Sequence, residues 1–130
     1  MTTTIRAPGR HFTLTTDHDS TVVEFGPGGT NAGLSTLVMQ IVPDGDWSGS
    51  LTVKGRIAGQ DAEAVDPVGI PYHPANVGGT ASDYALVSSA ITGDALIQIP
   101  SNGLTVSLDV TASAGTCEVF VWDLQGNSAP

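Results

Sequence analysis

Positive charge is scarce in this sequence: four Lys and Arg stand against thirteen Asp and Glu, for a formal net charge of -9. A protein that holds nucleic acid must offer several bases to displace the counterions condensed on phosphate, so no nucleic-acid partner is expected. Cysteine is scarcer still. The single Cys117 excludes an intrachain disulfide framework and a cysteine-rich zinc site. No run of about eighteen apolar residues occurs, so neither a membrane-spanning helix nor a membrane partner is expected. The opening MTTTIRAPGR lacks the apolar stretch of about seven to fifteen residues that a secretory signal needs. Charged residues of both signs make up 13%, against about 25% in an average soluble domain.

Gly, Thr, Ser, Ala and Val fill the space instead. A surface of hydroxyls and small residues suits a protein that lives packed among neighbours or outside a cell. The 130 residues fit one domain, long enough to bury a core without disulfides or a structural metal. Charge is unevenly placed. Residues 1–16 hold Arg6 and Arg10 and no acid, while Lys54 and Arg56 share the rest of the chain with all thirteen acids.

Apolar residues recur mostly at period two, the signature of half-buried strands. In the clearest case Leu104, Val106, Leu108 and Val110 alternate with Thr105, Ser107 and Asp109. The preceding run 95–99, the Asn102-Gly103 pair and the following run 116–124 extend this to an expected three-stranded antiparallel meander. Further strands are expected over 11–16, 21–25, 34–42, 47–57 and 84–90, with an edge strand over 68–73 broken by Pro71. Eight or nine strands with turn signals about every ten residues predict an all-β fold. The expectation is a single-domain antiparallel β-sandwich, jelly-roll-like, over residues 10–124. A flexible N-terminal arm (1–9) and a C-terminal tail (125–130) would flank it.

Chemistry is hard to find. No serine sits in Gly-x-Ser-x-Gly, and Trp47-Ser48-Gly49-Ser50 has the wrong spacing. Asp17-His18-Asp19 is the most metal-like cluster, with His11 nearby, but strand alternation would send His18 to the face opposite the two acids. A solvated turn fits those residues better. Asp44-Gly45-Asp46 offers two carboxylates where calcium takes six to eight oxygens, and Asp-Gly is also a hairpin signal. The pairs Gly28-Gly29 and Gly78-Gly79 do not open a helix, so no phosphate cradle is read. No catalytic, metal or cofactor-binding residue is therefore assigned, and the chain is read as not an enzyme. Of the few aromatics, Trp47, Tyr72, Tyr84 and Trp122 fill the core or stack on sugar rings.

Two strands are apolar on both faces. Leu37, Met39 and Ile41 alternate with Val38 and Val42; Cys117, Val119 and Val121 alternate with Phe120, Trp122 and Leu124. A sandwich buries one face of each strand, so the second wants a loop or another subunit as cover. In Ser50-Leu51-Thr52-Val53-Lys54-Gly55-Arg56-Ile57 the alternation puts Lys54 and Arg56 on one face with Thr52, and Leu51, Val53 and Ile57 on the other. The two bases are either solvated or paired with neighbouring acids, or they form a partner contact.

The run Trp47 to Asp61 has the form WxGxLxVxG, and it is followed by Val68-Gly69-Ile70-Pro71-Tyr72. Together with Gly103-Leu104-Thr105-Val106-Ser107-Leu108 and Gly115-Thr116-Cys117-Glu118-Val119-Phe120-Val121, it resembles small all-β structural proteins of tailed bacteriophages. The resemblance spans roughly residues 34–124, and the turn Gly59-Gln60-Asp61 departs from the usual Asp-Gly order. It implies a virion protein without enzymatic activity or cofactor. In that class are capsid decoration (cement) proteins, often trimers bound to the major capsid protein on the capsid surface, and tail or head-fibre components. Arg6 and Arg10 are then the candidate capsid contact, with Lys54 and Arg56 as a further candidate. A carbohydrate-binding or host-attachment module of a tail or head fibre is the alternative, and a small enzyme centred on Asp17-His18-Asp19 a third reading.

Overall fold

The computed structural model describes residues 3–6, 11–25, 36–57, 66–74, 86–100 and 104–123. Among them the period-two segments become ten strands: β1 (Thr3–Arg6), β2 (His11–Leu14), β3 (Thr21–Glu24), β4 (Thr36–Pro43), β5 (Ser48–Ile57), β6 (Val68–Gly69), β7 (His73–Pro74), β8 (Ala95–Pro100), β9 (Leu104–Ala114) and β10 (Cys117–Asp123). They form two five-stranded sheets, ordered β1-β3-β9-β5-β6 and β2-β10-β4-β8-β7. This is the expected all-β sandwich.

The core lies between the sheets and follows from alternation. The first sheet contributes Val23, Leu51, Val53, Val106, Leu108 and Val110. The second contributes Leu14, Met39, Ile41, Ile97, Ile99 and Val119. Strand β9 is the longest, lies between β3 and β5, and is buried along its inward face.

The pairings nest along the chain: β2 with β10, β3 with β9, β4 with β8 and β5 with β6, all antiparallel. Two further antiparallel pairs, β10 with β4 and β9 with β5, close the sheets. The expected meander over 95–124 is therefore not formed. Strands β8 and β10 flank β4 in the second sheet, while β9 belongs to the first. Turn residues report that the chain reverses, not which sheet the next strand joins. Apolar faces of successive strands meet across the core here rather than side by side, and both arrangements give the same alternation.

Three other expectations are corrected. Thr3–Arg6, placed in the flexible arm 1–9, is a sheet strand that runs parallel to β3 with Arg6 opposite Glu24. Thr3, Thr4 and Ile5 are β-branched, and they take up the outer edge of β3. The strand expected over 68–73 divides at Pro71, with β6 at the edge of one sheet and β7 at the edge of the other. Within 86–90 no strand forms; Val87 makes one bridge to Tyr72, and the neighbouring Ile91 one to Leu51. The tail 125–130 and the Asn102-Gly103 pair lie outside the described residues.

Candidate functional site

Strand register decides what Lys54 and Arg56 touch. On the outer face of the first sheet Glu24, Ser107 and Lys54 lie in one row across β3, β9 and β5, and Arg56 lies opposite Thr105. The guanidinium reaches diagonally over β9: Nε donates to Glu24 Oε2 at 2.8 Å and Nη2 to Oε1 at 3.2 Å. Both side chains are desolvated, 9% and 7% exposed, and Thr105 and Ser107 between them are buried. Such a two-pronged pair satisfies the planar fork of Arg and both oxygens of the carboxylate at once. Lys54 Nζ lies 2.9 Å from Asp109 Oδ2, half-buried. Both bases thus have acid partners within the chain.

The two-faced strands lie side by side. Because β10 pairs with β4, their second apolar faces join on the outside of the second sheet, where Phe120 is 42% and Val42 39% exposed. At one margin His11 stacks flat on Phe120, with ring centroids 4.4 Å apart and planes 5° from parallel. His11 Nε2 lies 2.5 Å from Glu118 Oε1, and the Thr13 hydroxyl donates to the same oxygen at 2.9 Å. The hydrogen bond from His11, with that from Thr13, holds the Glu118 carboxyl below its ordinary range.

The Asp17-His18-Asp19 cluster is spent on closing a 3-10 turn, Thr16–His18. The Thr15 hydroxyl accepts from Asp17 N at 3.1 Å, and His18 Nδ1 accepts from Thr15 N at 2.9 Å. Asp19 Oδ1 accepts from Ala112 N at 2.8 Å and ties the turn to β9. Asp44 has a similar duty: Oδ1 accepts from Asp46 N at 2.9 Å and Oδ2 from the Thr116 hydroxyl at 3.0 Å. The Thr116 bond is the main reason its carboxyl is held below the ordinary value. Among the described residues no three His, Cys, Asp or Glu are grouped to hold a metal.

Beside this turn an open cleft of about 330 Å³ is lined by Pro43, Asp44, Trp47, Thr92 and Asp94. Tyr72, by contrast, is buried and its hydroxyl donates to Ser89 O at 2.8 Å, so it presents no ring to a ligand. Tyr84, Arg10 and the side chains of Arg6 and Trp122 lie outside the described residues.

Sequence reasoning missed Glu24 and the joining of His11, Glu118 and Phe120. Glu24 follows Val22-Val23 and precedes Phe25, which marks it only as an outward strand residue; His11 and Glu118 are 107 positions apart. Cys117 is wholly buried, and burial, with Glu118 adding to it, pushes its thiol up to about 11. Since the thiolate is the reactive form, the native protein should resist an alkylating reagent at pH 8 and take up one equivalent after denaturation. Full labelling of the native chain within minutes would show that its second sheet opens. No family pattern, curated protein or solved structure was found to match the chain.

Proposed function

We propose that this chain is a non-enzymatic virion structural protein, a capsid decoration (cement) protein that works as an oligomer, a trimer in the first instance. It reinforces a phage head by seating on the major capsid protein from outside. The observation that carries the reading is the joined apolar face of β4 and β10, a surface that a chain working inside an assembly has reason to keep. The nested pairing adds support. Setting β1 and β7 aside, the sheets run β2-β10-β4-β8 and β3-β9-β5-β6, the order obtained by rolling up one long hairpin of eight strands. That is jelly-roll order, an architecture used by viral capsid and lectin domains, and the argument from it is one of fold-level analogy.

Mechanically, a subunit that bridges several shell proteins adds contact free energy that vanishes when they separate, so binding stabilises the assembled shell. Repeating one weak contact around an oligomer multiplies affinity through effective concentration. The test is co-sedimentation of the purified chain with shells of the encoding phage assembled without it. Binding of the full chain is expected, weakened in an Arg6→Ala/Arg10→Ala double variant; absence of the full chain from the pellet would end the decoration reading. Removing residues 1–10 is the poorer comparison, because it takes β1 out of a sheet. The cleft at Trp47 favours the second reading, a glycan-binding attachment module, since an aromatic wall beside Asp44 and Asp94 suits a sugar ring and its hydroxyls. Glycan binding abolished by Trp47→Ala, without shell binding, would select it.

A further inference from the structure

We infer that the outer face of the second sheet, carried by β2, β10, β4 and β8, is where one copy of this chain packs against another. The inference deepens the oligomeric part of the reading above, rests on it in that respect, and needs no capsid. Register makes the face continuous. Phe120 stands opposite Gln40, so Val38 and Val42 flank it diagonally on β4, and Leu96 stands opposite Gln40 on the far side. The polar groups among them are chiefly the amides of Gln40 and Gln98, each of which both donates and accepts and can find the matching group on another amide.

Charge selects the occupant. In a chain of net -9, the described part of this face carries one carboxylate, Glu118, already engaged by His11 and Thr13. The other described acids with described side chains stand elsewhere. Asp17 and Asp19 lie around the 3-10 turn, Asp44, Asp46 and Asp94 around the cleft, Glu24 and Asp109 on the first sheet, and Asp66 just before β6 of that sheet. A basic partner is drawn to those places and gains nothing here. An uncharged apolar surface is complemented by another such surface, and a second copy supplies one. Two copies that meet through this face also keep most of their carboxylates apart. Sheet faces stack about 10 Å apart with their side chains interleaved, and an exposed Phe flanked by Val is the kind of centre that buried interfaces use. Around a two-fold axis the face meets itself; around a three-fold it meets a neighbouring part of the next copy. Either way Val42 and Phe120 are covered.

The test is the mass of the whole chain in solution by sedimentation equilibrium, for the wild type and for Val42→Glu and Phe120→Glu. Both positions point away from the core, and circular dichroism with the thermal midpoint checks that each variant folds. At about 10 µM the wild type should run as a multiple of its 13.2 kDa. Each folded variant should run as the single chain, its dissociation constant raised at least about a hundredfold, as for loss of a central interface residue. Raising salt to about 1 M should tighten the wild-type association, because it screens the repulsion between acidic copies and leaves an apolar contact intact. A wild type that stays single at about 100 µM, an oligomer that both variants leave whole, or one that salt dissolves overturns the inference. Shell binding separates it from the functional reading: a single chain that binds shells, and loses this with Val42→Glu, keeps decoration and gives the face to the capsid. An oligomer broken by the variants that ignores shells does the reverse.

Discussion

Arg56→Met is expected to cost the fold about 3–5 kcal/mol, the range for removing one partner of a buried ion pair. In a chain of this size that corresponds to a fall of roughly 10–20 °C in the thermal midpoint. The cause is what remains. With Arg56 gone, the Glu24 carboxylate stays 7% exposed among buried Thr105 and Ser107, stripped of water and of the two donors that had replaced it. The companion experiment removes both charges. Glu24→Leu combined with Arg56→Met leaves two apolar side chains that need no partner, and the double variant should recover most of the loss or exceed the wild type. With that recovery the pair serves register and specificity more than net stability, holding β3 and β5 at one setting across β9. Lys54→Met marks the contrast: its pair with Asp109 is half exposed, and the change should cost under about 1 kcal/mol. Equal costs for Arg56→Met and Lys54→Met would mean that the Glu24 carboxylate is not desolvated.

Period two is a local property, and so the inward and outward sets were legible residue by residue. Leu104, Val106, Leu108 and Val110 separate cleanly from Thr105, Ser107 and Asp109 because the pleat admits only two directions. Pairing is not local. Nothing within 95–124 distinguishes a hairpin from strands that cross between sheets, since β9 has the same alternating pattern whether it lies beside β8 or faces it through the core. β1 was hidden for a related reason: four residues that include Arg6, with Arg10 close behind, read as an arm, and only the presence of β3 alongside makes them a strand.

The same limit governs the candidate sites. Lys54 and Arg56 were correctly placed on an outward face, but outward from a sheet is not the same as exposed, and the burial of Arg56 depends on a carboxylate 32 residues away. Their difference, one buried and one half-solvated, has no counterpart in the pattern Thr52-Val53-Lys54-Gly55-Arg56. For β4 and β10 the sequence did register an unusual second apolar face on each. That the two faces adjoin follows only from the pairing of Phe120 with Gln40. Asp19 and Asp44 read as loose carboxylates because the groups that occupy them, backbone amides and the hydroxyl of Thr116, carry little signature of their own.

Gly115→Ala is expected to cost about 2–5 kcal/mol, a large effect for one added methyl. Gly115 turns the chain from β9 into β10 at φ +79, a conformation that charges an L-residue about 1–2 kcal/mol. Its Cβ would also stand 2.5 Å from Trp47 N and from the Asp46 carbonyl carbon, where backbone cannot swing aside as a long side chain would. The two turns are clamped together there, Asp44 N donating to Thr116 O at 2.9 Å and the Thr116 hydroxyl to Asp44 Oδ2 at 3.0 Å. Relieving the overlap must stretch these bonds or displace Trp47, adding about 1–3 kcal/mol of the kind seen when a filled space is overpacked. Gly45 is the control. It lies in the facing turn, with nothing within 4 Å of an added Cβ, and Gly45→Ala should stay within about 0.5 kcal/mol of the wild type. Chemical denaturation of the three proteins reads the difference directly. Similar midpoints for the two substitutions would show that the turns are not pressed together.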